Sequence, residues 1–167
     1  KDTKCIIKNF YSLILAFKWL KSQHKNNDSL VEEKSLASWM DTIVRFKGKG
    51  KTIYTNILAW KSLDSMEKIC KTINKNFPED LKTWKSRIKR KINQKFWNGS
   101  YYSDYIYRKR YDYFETGGNI LAVVFGFADK NQRKEILENM TGTFGYLPST
   151  NYPNYPQEDS SIQNQLF

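Results

Sequence analysis

Apolar residues fall at helical steps through most of the chain. Ile6, Phe10, Leu13, Ile14, Phe17 and Leu20 recur every three or four positions and predict a first helix from Thr3 to about His24. The polar run Lys25 to Ser29 reads as a loop. A shorter apolar stretch, Leu30 to Met40, ends at Asp41, and Lys47-Gly48-Lys49-Gly50-Lys51 reads as a flexible basic loop. Thr55 or Asn56 can cap a second long helix that reaches about Asn76. Its inward face carries Leu63, Met66, Cys70, Ile73 and Phe77. Pro78 suits the first position of a third helix, with Leu81, Trp84, Ile88 and Ile92 on one face. The other face of that helix holds Lys82, Lys85, Arg87, Lys89, Arg90, Lys91 and Lys95. From Phe96 to Phe114 the pattern changes. Asn98-Gly99 is a turn signal, and Tyr101, Tyr102, Tyr105, Tyr107, Tyr111 and Tyr113 then predict a short β-hairpin or an ordered aromatic loop. Gly117-Gly118-Asn119 opens a fourth, nearly apolar helix to Ala128, and Lys130 to Met140 forms a fifth. Glycines and prolines make residues 141–167 an irregular tail. Strands and helices do not alternate. The expected class is all-α, helical hairpins with a small β-hairpin between helices and with function on the connecting loops.

Composition narrows the chemistry. The 167 residues make one domain, and 40% hydrophobic with 16% aromatic content excludes wholesale disorder. Two Cys and one His exclude a disulfide scaffold, a four-Cys zinc module and any multi-His metal site, so neither a metal nor a cofactor is expected. Cys5 and Cys70 sit on apolar helix faces and read as buried thiols, whereas His24, in a polar helix end, reads as exposed. The formal charge of +11 accompanies a joint abundance of Lys, Asn, Ile and Tyr, a bias that AT-rich coding produces. It therefore reads as a solvated basic surface with no nucleic-acid partner. A basic nucleic-acid-binding helical protein, using the third helix, is one alternative. Against it, the aromatic block lies away from the basic helix, whereas single-strand binders interleave the two. No stretch approaches the roughly 18–20 apolar residues of a membrane span. No membrane partner is expected, and a cytoplasmic location is. The chain begins at Lys1 and reads as a processed product or a piece of something longer.

Three features carry candidate chemistry. The first is Trp39-Met40-Asp41 with Arg45 four residues on. A carboxyl beside an indole can be held protonated by its apolar surroundings, as a general acid for glycosidic cleavage must be. An Asp that ends a helix or pairs with Arg45 fits the same pattern. The second is Tyr54-Thr55-Asn56 with Trp60, rings that stack on sugar faces and an amide that bonds sugar hydroxyls, or else a helix cap with two core aromatics. The third is the aromatic block with Tyr102, Asp104, Asp112 and Glu115, which suits a carbohydrate groove or the solvated face of a hairpin.

Taken in order, these segments resemble the six-hairpin glycosidases, in particular the amylo-α-1,6-glucosidase domain of glycogen debranching enzymes. The residues carrying the likeness are Trp39-Met40-Asp41, Gly48 to Lys51, Tyr54-Thr55-Asn56-Ile57-Leu58, Tyr101-Tyr102-Ser103-Asp104, Gly118-Asn119-Ile120-Leu121-Ala122 and Gly126-Phe127-Ala128-Asp129. They span about Leu30 to Met140. The resemblance implies part of an (α/α)6 toroid with its site on loops at one end. It implies inverting, two-carboxylate hydrolysis of an oligo- or polysaccharide such as an α-glucan branch. Asp41 maps to the general acid. Trp39, Arg45, Tyr54, Asn56, Trp60, Tyr102 and Asp104 are the expected substrate contacts. The family's base lies near a His-Gly-x-x-Trp-Pro segment, and residues 141–167 contain neither His nor Trp. The chain is thus expected to be about half a ring that lacks the base. A non-catalytic carbohydrate-binding helical scaffold is the other alternative.

Overall fold

The computed structural model describes residues 3–24, 28–34, 49–144 and 151–152. Among them run α1 (Thr3–Ser22), β1 (Glu33–Lys34), β2 (Lys49–Thr52), α2 (Ile53–Ile73), α3 (Leu81–Phe96), β3 (Ser103–Tyr107), β4 (Lys109–Glu115), α4 (Thr116–Val124), α5 (Lys130–Phe144) and β5 (Asn151–Tyr152). The molecule is mostly helical, with a small antiparallel sheet in the order β1-β2-β3-β4-β5.

Local chemistry fixes the helix ends. Thr52 caps α2 by accepting the Thr55 N–H, and Asn74 stops it in the left-handed conformation (φ 52°), donating its N–H to Cys70 O. Asp80 caps α3, accepting the Thr83 N–H at 3.0 Å and its hydroxyl at 2.6 Å. Glu115 caps α4 through the N–H groups of Gly117 and Gly118. The helix expected from Thr55 or Asn56 therefore begins one turn earlier, because the hydroxyl of Thr52 is the one free to cap. The third helix begins at Leu81, with Pro78 ahead of its cap.

The core lies between α2, α3 and α4. Ile53, Ile57, Leu63 and Met66 meet Ile88, Ile92 and Phe96, and Ala122, Phe127 and Ile136 close the cluster. Fully burying each large apolar side chain contributes about 1.5–3 kcal/mol. The α2–α3 ion pairs, Lys85 to Glu67 at 2.6 Å and to Asp64 at 3.2 Å, are partly exposed. Pairs of that kind contribute about 0–1 kcal/mol each, so packing decides the arrangement.

Several expectations are corrected. The expected helical class holds, with five helices, but the hairpin is not isolated: it is the middle of a five-stranded sheet. Lys49–Thr52, expected to be loop, is β2, its backbone paired with β1 on one side and β3 on the other. The β3–β4 turn falls at Arg108 (φ 60°), while Asn98-Gly99 closes a separate turn in which the Asn98 N–H donates to Tyr101 O at 3.1 Å. Cys5 is exposed, and His24 is half-buried, edge-on to Trp84 at 5.4 Å. Burial holds the His24 imidazole below its ordinary pKa. The fifth helix continues to Phe144, and 151–152 pair with β4. No helix is long and apolar enough to cross a membrane among the described residues.

Candidate functional site

The sheet brings two connections to one end of the helices. The α1–α2 connection supplies β1 and β2, and the α3–α4 connection supplies β3 and β4. Pairing of Lys51 with Ile106 and Thr52 with Tyr105 joins them edge to edge. Each pair runs straight into a helix: β2 ends at Thr52 and α2 starts at Ile53, and β4 ends at Glu115 and α4 starts at Thr116. The two helix starts touch through glycine. A Cβ on Gly118 would lie 2.7 Å from Ile53 Cγ2 and 3.0 Å from the Tyr54 backbone nitrogen. A side chain there would force the helices apart.

Buried charge ties the first connection together and to the end of α3. The Asp28 carboxylate meets Lys51 Nζ at 2.6 Å and Lys95 Nζ at 3.0 Å, and accepts the Leu30 N–H at 3.0 Å. Lys51 also reaches Glu32 at 3.4 Å. Burial alone would raise the Asp28 pKa. The hydrogen bonds from Lys51, the Leu30 amide and Lys95 outweigh it and hold the carboxyl below the ordinary range. Asp28 is therefore a fixed anion, unsuited to donate a proton near neutrality.

The expected site residues fall into three groups. Trp39, Asp41 and Arg45 lie outside the described residues. Tyr54 is half-buried at the α2 start, its ring facing Gly117. The remaining four are interior. Asn56 is 0% exposed, and its amide is taken up by Val31 N, Val31 O and Thr52 O. Trp60 is buried edge-on to Phe127 at 5.0 Å, with Lys89 Nζ over its ring. Tyr102 is fully buried and donates its hydroxyl to Asn93 Oδ1 at 2.8 Å. Burial, with the Asp129 charge nearby, pushes that phenol far up, so it stays protonated. Asp104 is fully buried in β3.

Glu33 and Glu115 take places that sequence reasoning leaves open or misses. Glu115 spends both oxygens capping α4, at 3.0 Å to the Gly117 N–H and 2.5 Å to the Gly118 N–H. Glu33 accepts the Thr55 hydroxyl at 2.6 Å. It lines a cavity of about 310 Å³ with Trp19, Val31, Lys49 and Thr55. Val31-Glu32-Glu33-Lys34 has no apolar–polar alternation, and two paired residues are too few for a strand period to register, so no sequence signal marks this strand. Asp112 binds Arg110 at 2.8 Å and accepts the Ser103 hydroxyl, which makes it part of the hairpin's own frame. Among the described residues no group of three or more His, Cys, Asp or Glu side chains could hold a metal ion.

Glu33, the exposed Trp19 indole and, at the start of α2, the half-buried Tyr54 thus lie at the end of the helices that carries the sheet. That is a surface able to meet hydroxyl-rich rings. No curated protein matches the chain. The family model for amylo-alpha-1,6-glucosidase matches residues 7–144, taking in α1 after its first turn, α2 to α5, and the sheet as far as β4. The chain belongs to the amylo-alpha-1,6-glucosidase family.

Proposed function

We propose that this chain is part of a glycoside hydrolase that cleaves a branch linkage in an α-glucan by inversion. Asp41 is its general acid. Family membership carries the reading. It is supported by the sheet at the start of α2 and α4, which fixes Lys34 and Lys49, the residues flanking the segment with Trp39, Asp41 and Arg45. Trp39 and Met40 give Asp41 apolar neighbours that favour its protonated form, and Arg45 binds substrate hydroxyls. The base is a second carboxylate about 6.5–9.5 Å away, with a water between. Tyr54 stacks on a sugar face.

The wider architecture we propose is an (α/α)6 toroid. Helical hairpins α1–α2 and α3–α4 are successive members of such a ring. Ile7, Tyr11, Leu15 and Trp19 form an exposed apolar stripe along α1, which a further helix of the ring would cover.

The test is hydrolysis of a branched α-glucan oligosaccharide by the full gene product carrying Asp41→Asn. The expected loss in kcat is at least about 100-fold, because general acid assistance is removed. A glycosyl fluoride, whose leaving group barely needs protonation, should lose far less. Equal losses on both substrates, or full activity, would refute Asp41 as the acid. Binding of the glucan without turnover in the unsubstituted protein would point to a scaffold instead.

A further inference from the structure

We infer that the described residues contain one strand-pair-and-helix unit twice, and that Asn56 and Asn119 are the positioning residues that latch each strand pair to its helix. Five observations coincide. Asn56 Oδ1 accepts the Val31 N–H at 2.8 Å, while its Nδ2 donates to Val31 O at 3.2 Å and Thr52 O at 2.8 Å. Asn119 Oδ1 accepts the Tyr102 N–H at 2.8 Å, while its Nδ2 donates to Tyr102 O at 2.8 Å and Glu115 O at 2.8 Å. In both units the asparagine stands four residues after the residue that ends a strand and caps a helix. Val31 and Tyr102 each form an isolated antiparallel bridge back to the end of the preceding helix, with His24 and Trp97. The turn before each bridge is closed by a side-chain oxygen, Asp28 to the Leu30 N–H and Asn98 to the Ser100 and Tyr101 N–H groups. Finally, Asn-Ile-Leu-Ala stands at 56–59 and again at 119–122.

The chemistry explains why asparagine. A carboxamide offers one acceptor and two donors in a plane, so it can pair with both the N–H and the C=O of one residue as a neighbouring strand would. The remaining donor reaches the carbonyl one helical turn back. Both asparagines are 0% exposed, so water replaces none of these bonds and a lost partner leaves a buried polar group orphaned. Aspartate keeps the shape but has no donor for the two carbonyls. The first latch grips Val31 before β1 and Thr52 at the end of β2. It therefore holds both arms from which residues 35–48 emerge and acts on them without touching substrate.

Amide hydrogen exchange on the full chain tests the latches. Asn56→Asp should speed exchange at 28–34 and 49–52 at least tenfold and leave 100–115 within twofold. Asn119→Asp should do the reverse. The same segments responding to both changes, or neither responding, overturns the inference. In the unsubstituted protein the Val31 and Tyr102 amides should exchange at least tenfold more slowly than the amides of their flanking turns, a measurement that needs no variant to fold. Equal rates would overturn it too. An activity arm rests on the glycosidase reading. There Asn56→Asp should lower kcat at least tenfold with KM within about threefold. A tenfold rise in KM with exchange unchanged would make Asn56 a substrate contact and refute the latch. An unsubstituted protein that shows the exchange pattern but hydrolyses no glucan would instead sink the glycosidase reading alone.

Discussion

The two strand-pair units share a frame and differ in what the frame carries. In the first, Val31 and Asn56 are 25 residues apart; in the second, Tyr102 and Asn119 are 17 apart. The second unit turns between its strands at a single residue, Arg108, with Tyr107 paired directly to Lys109. The first sends out residues 35–48 between strands of two and four residues. The difference teaches how a helical scaffold hosts chemistry. A short hairpin with a one-residue turn stiffens one connection, and the neighbouring connection, held by an equivalent latch and by the β2–β3 pairing, can host a longer insertion at little cost in closure entropy. On the proposed reading the second unit is scaffold and the first carries the acid.

The boundary between the units gives the largest expected effect. Thr55 and Gly118 occupy equivalent places, one before each asparagine. Thr55 has room for a side chain and gives its hydroxyl to Glu33. Gly118 has none, since a Cβ there would meet Glu115 Oε2 and Ile53 Cγ2 at 2.7 Å each. Gly118→Ala should destabilise the fold by about 3 kcal/mol, the upper part of the overpacking range. Thr55→Gly should cost about 1–2 kcal/mol through one hydrogen bond and one helical glycine. Urea unfolding midpoints measure both. A tolerated Gly118→Ala would break the idea that the helix starts pack through glycine.

The charge link from the first unit to the end of α3 comes next. Asp28→Asn removes the anion shared by Lys51 and Lys95 and should cost about 2 kcal/mol at neutral pH. The pH dependence has a definite sign. The folded Asp28 pKa is depressed, so its contribution is present above the ordinary carboxylate range, near pH 4, and is lost as pH falls through the lower folded value. Unfolding free energies measured from pH 7 down to pH 3 should therefore fall more steeply in the unsubstituted protein than in Asp28→Asn. Parallel curves would show that the link contributes nothing.

Tyr102 separates the latched residues of the two units by side chain. Val31 offers only backbone to its asparagine, but Tyr102 also sends its hydroxyl to Asn93 Oδ1, which the Gln132 amide shares at 2.8 Å. Tyr102→Phe leaves Asn93 with that second donor and should cost only about 1 kcal/mol by thermal or urea unfolding. A loss of several kcal/mol would mean that the hydroxyl, and not the Asn119 latch, anchors the second unit.

The sequence displays the helices of this fold better than its sheet, for a physical reason. Leu63, Met66, Ile88 and Ile92 repeat at helical spacing because each faces one core. Lys49-Gly50-Lys51-Thr52 has no alternation to read, because Lys51 is buried against Asp28 and Glu32 by charge. The order of site segments was legible as a family likeness. The interior placement of Asn56, Trp60, Tyr102 and Asp104 was not. Aromatic and amide groups that suit a sugar suit a polar core equally well, and only the partners they find, backbone at Val31 and Tyr102, distinguish the two. The doubled Asn-Ile-Leu-Ala was the one local signal of the repeat, and it is short enough to pass as two ordinary helix starts.

The smallest expected effect tests whether the second unit is scaffold alone. Arg108 adopts φ 60° at the β3–β4 turn, a conformation that costs an L-residue about 1–2 kcal/mol and glycine almost nothing. Its guanidinium lies 5.3 Å from the Tyr107 ring centroid, a cation–π contact contributing about 0.5–1 kcal/mol at an exposed site. Arg108→Gly relieves the backbone, loses the contact and gives the unfolded chain more freedom, about 0.4–1 kcal/mol. These terms nearly cancel, so stability should change by less than about 0.5 kcal/mol. Arg108→Ala keeps the strained backbone and still loses the contact, so it should be less stable than Arg108→Gly by about 0.5–1 kcal/mol. Thermal unfolding of the pair measures the difference, and the reverse order would show that the turn relaxes out of the left-handed region. Neither change should alter glucan hydrolysis by the full gene product. A tenfold loss in either variant would place the β3–β4 turn against the substrate, and the division into an acid-carrying first unit and a purely structural second one would fall.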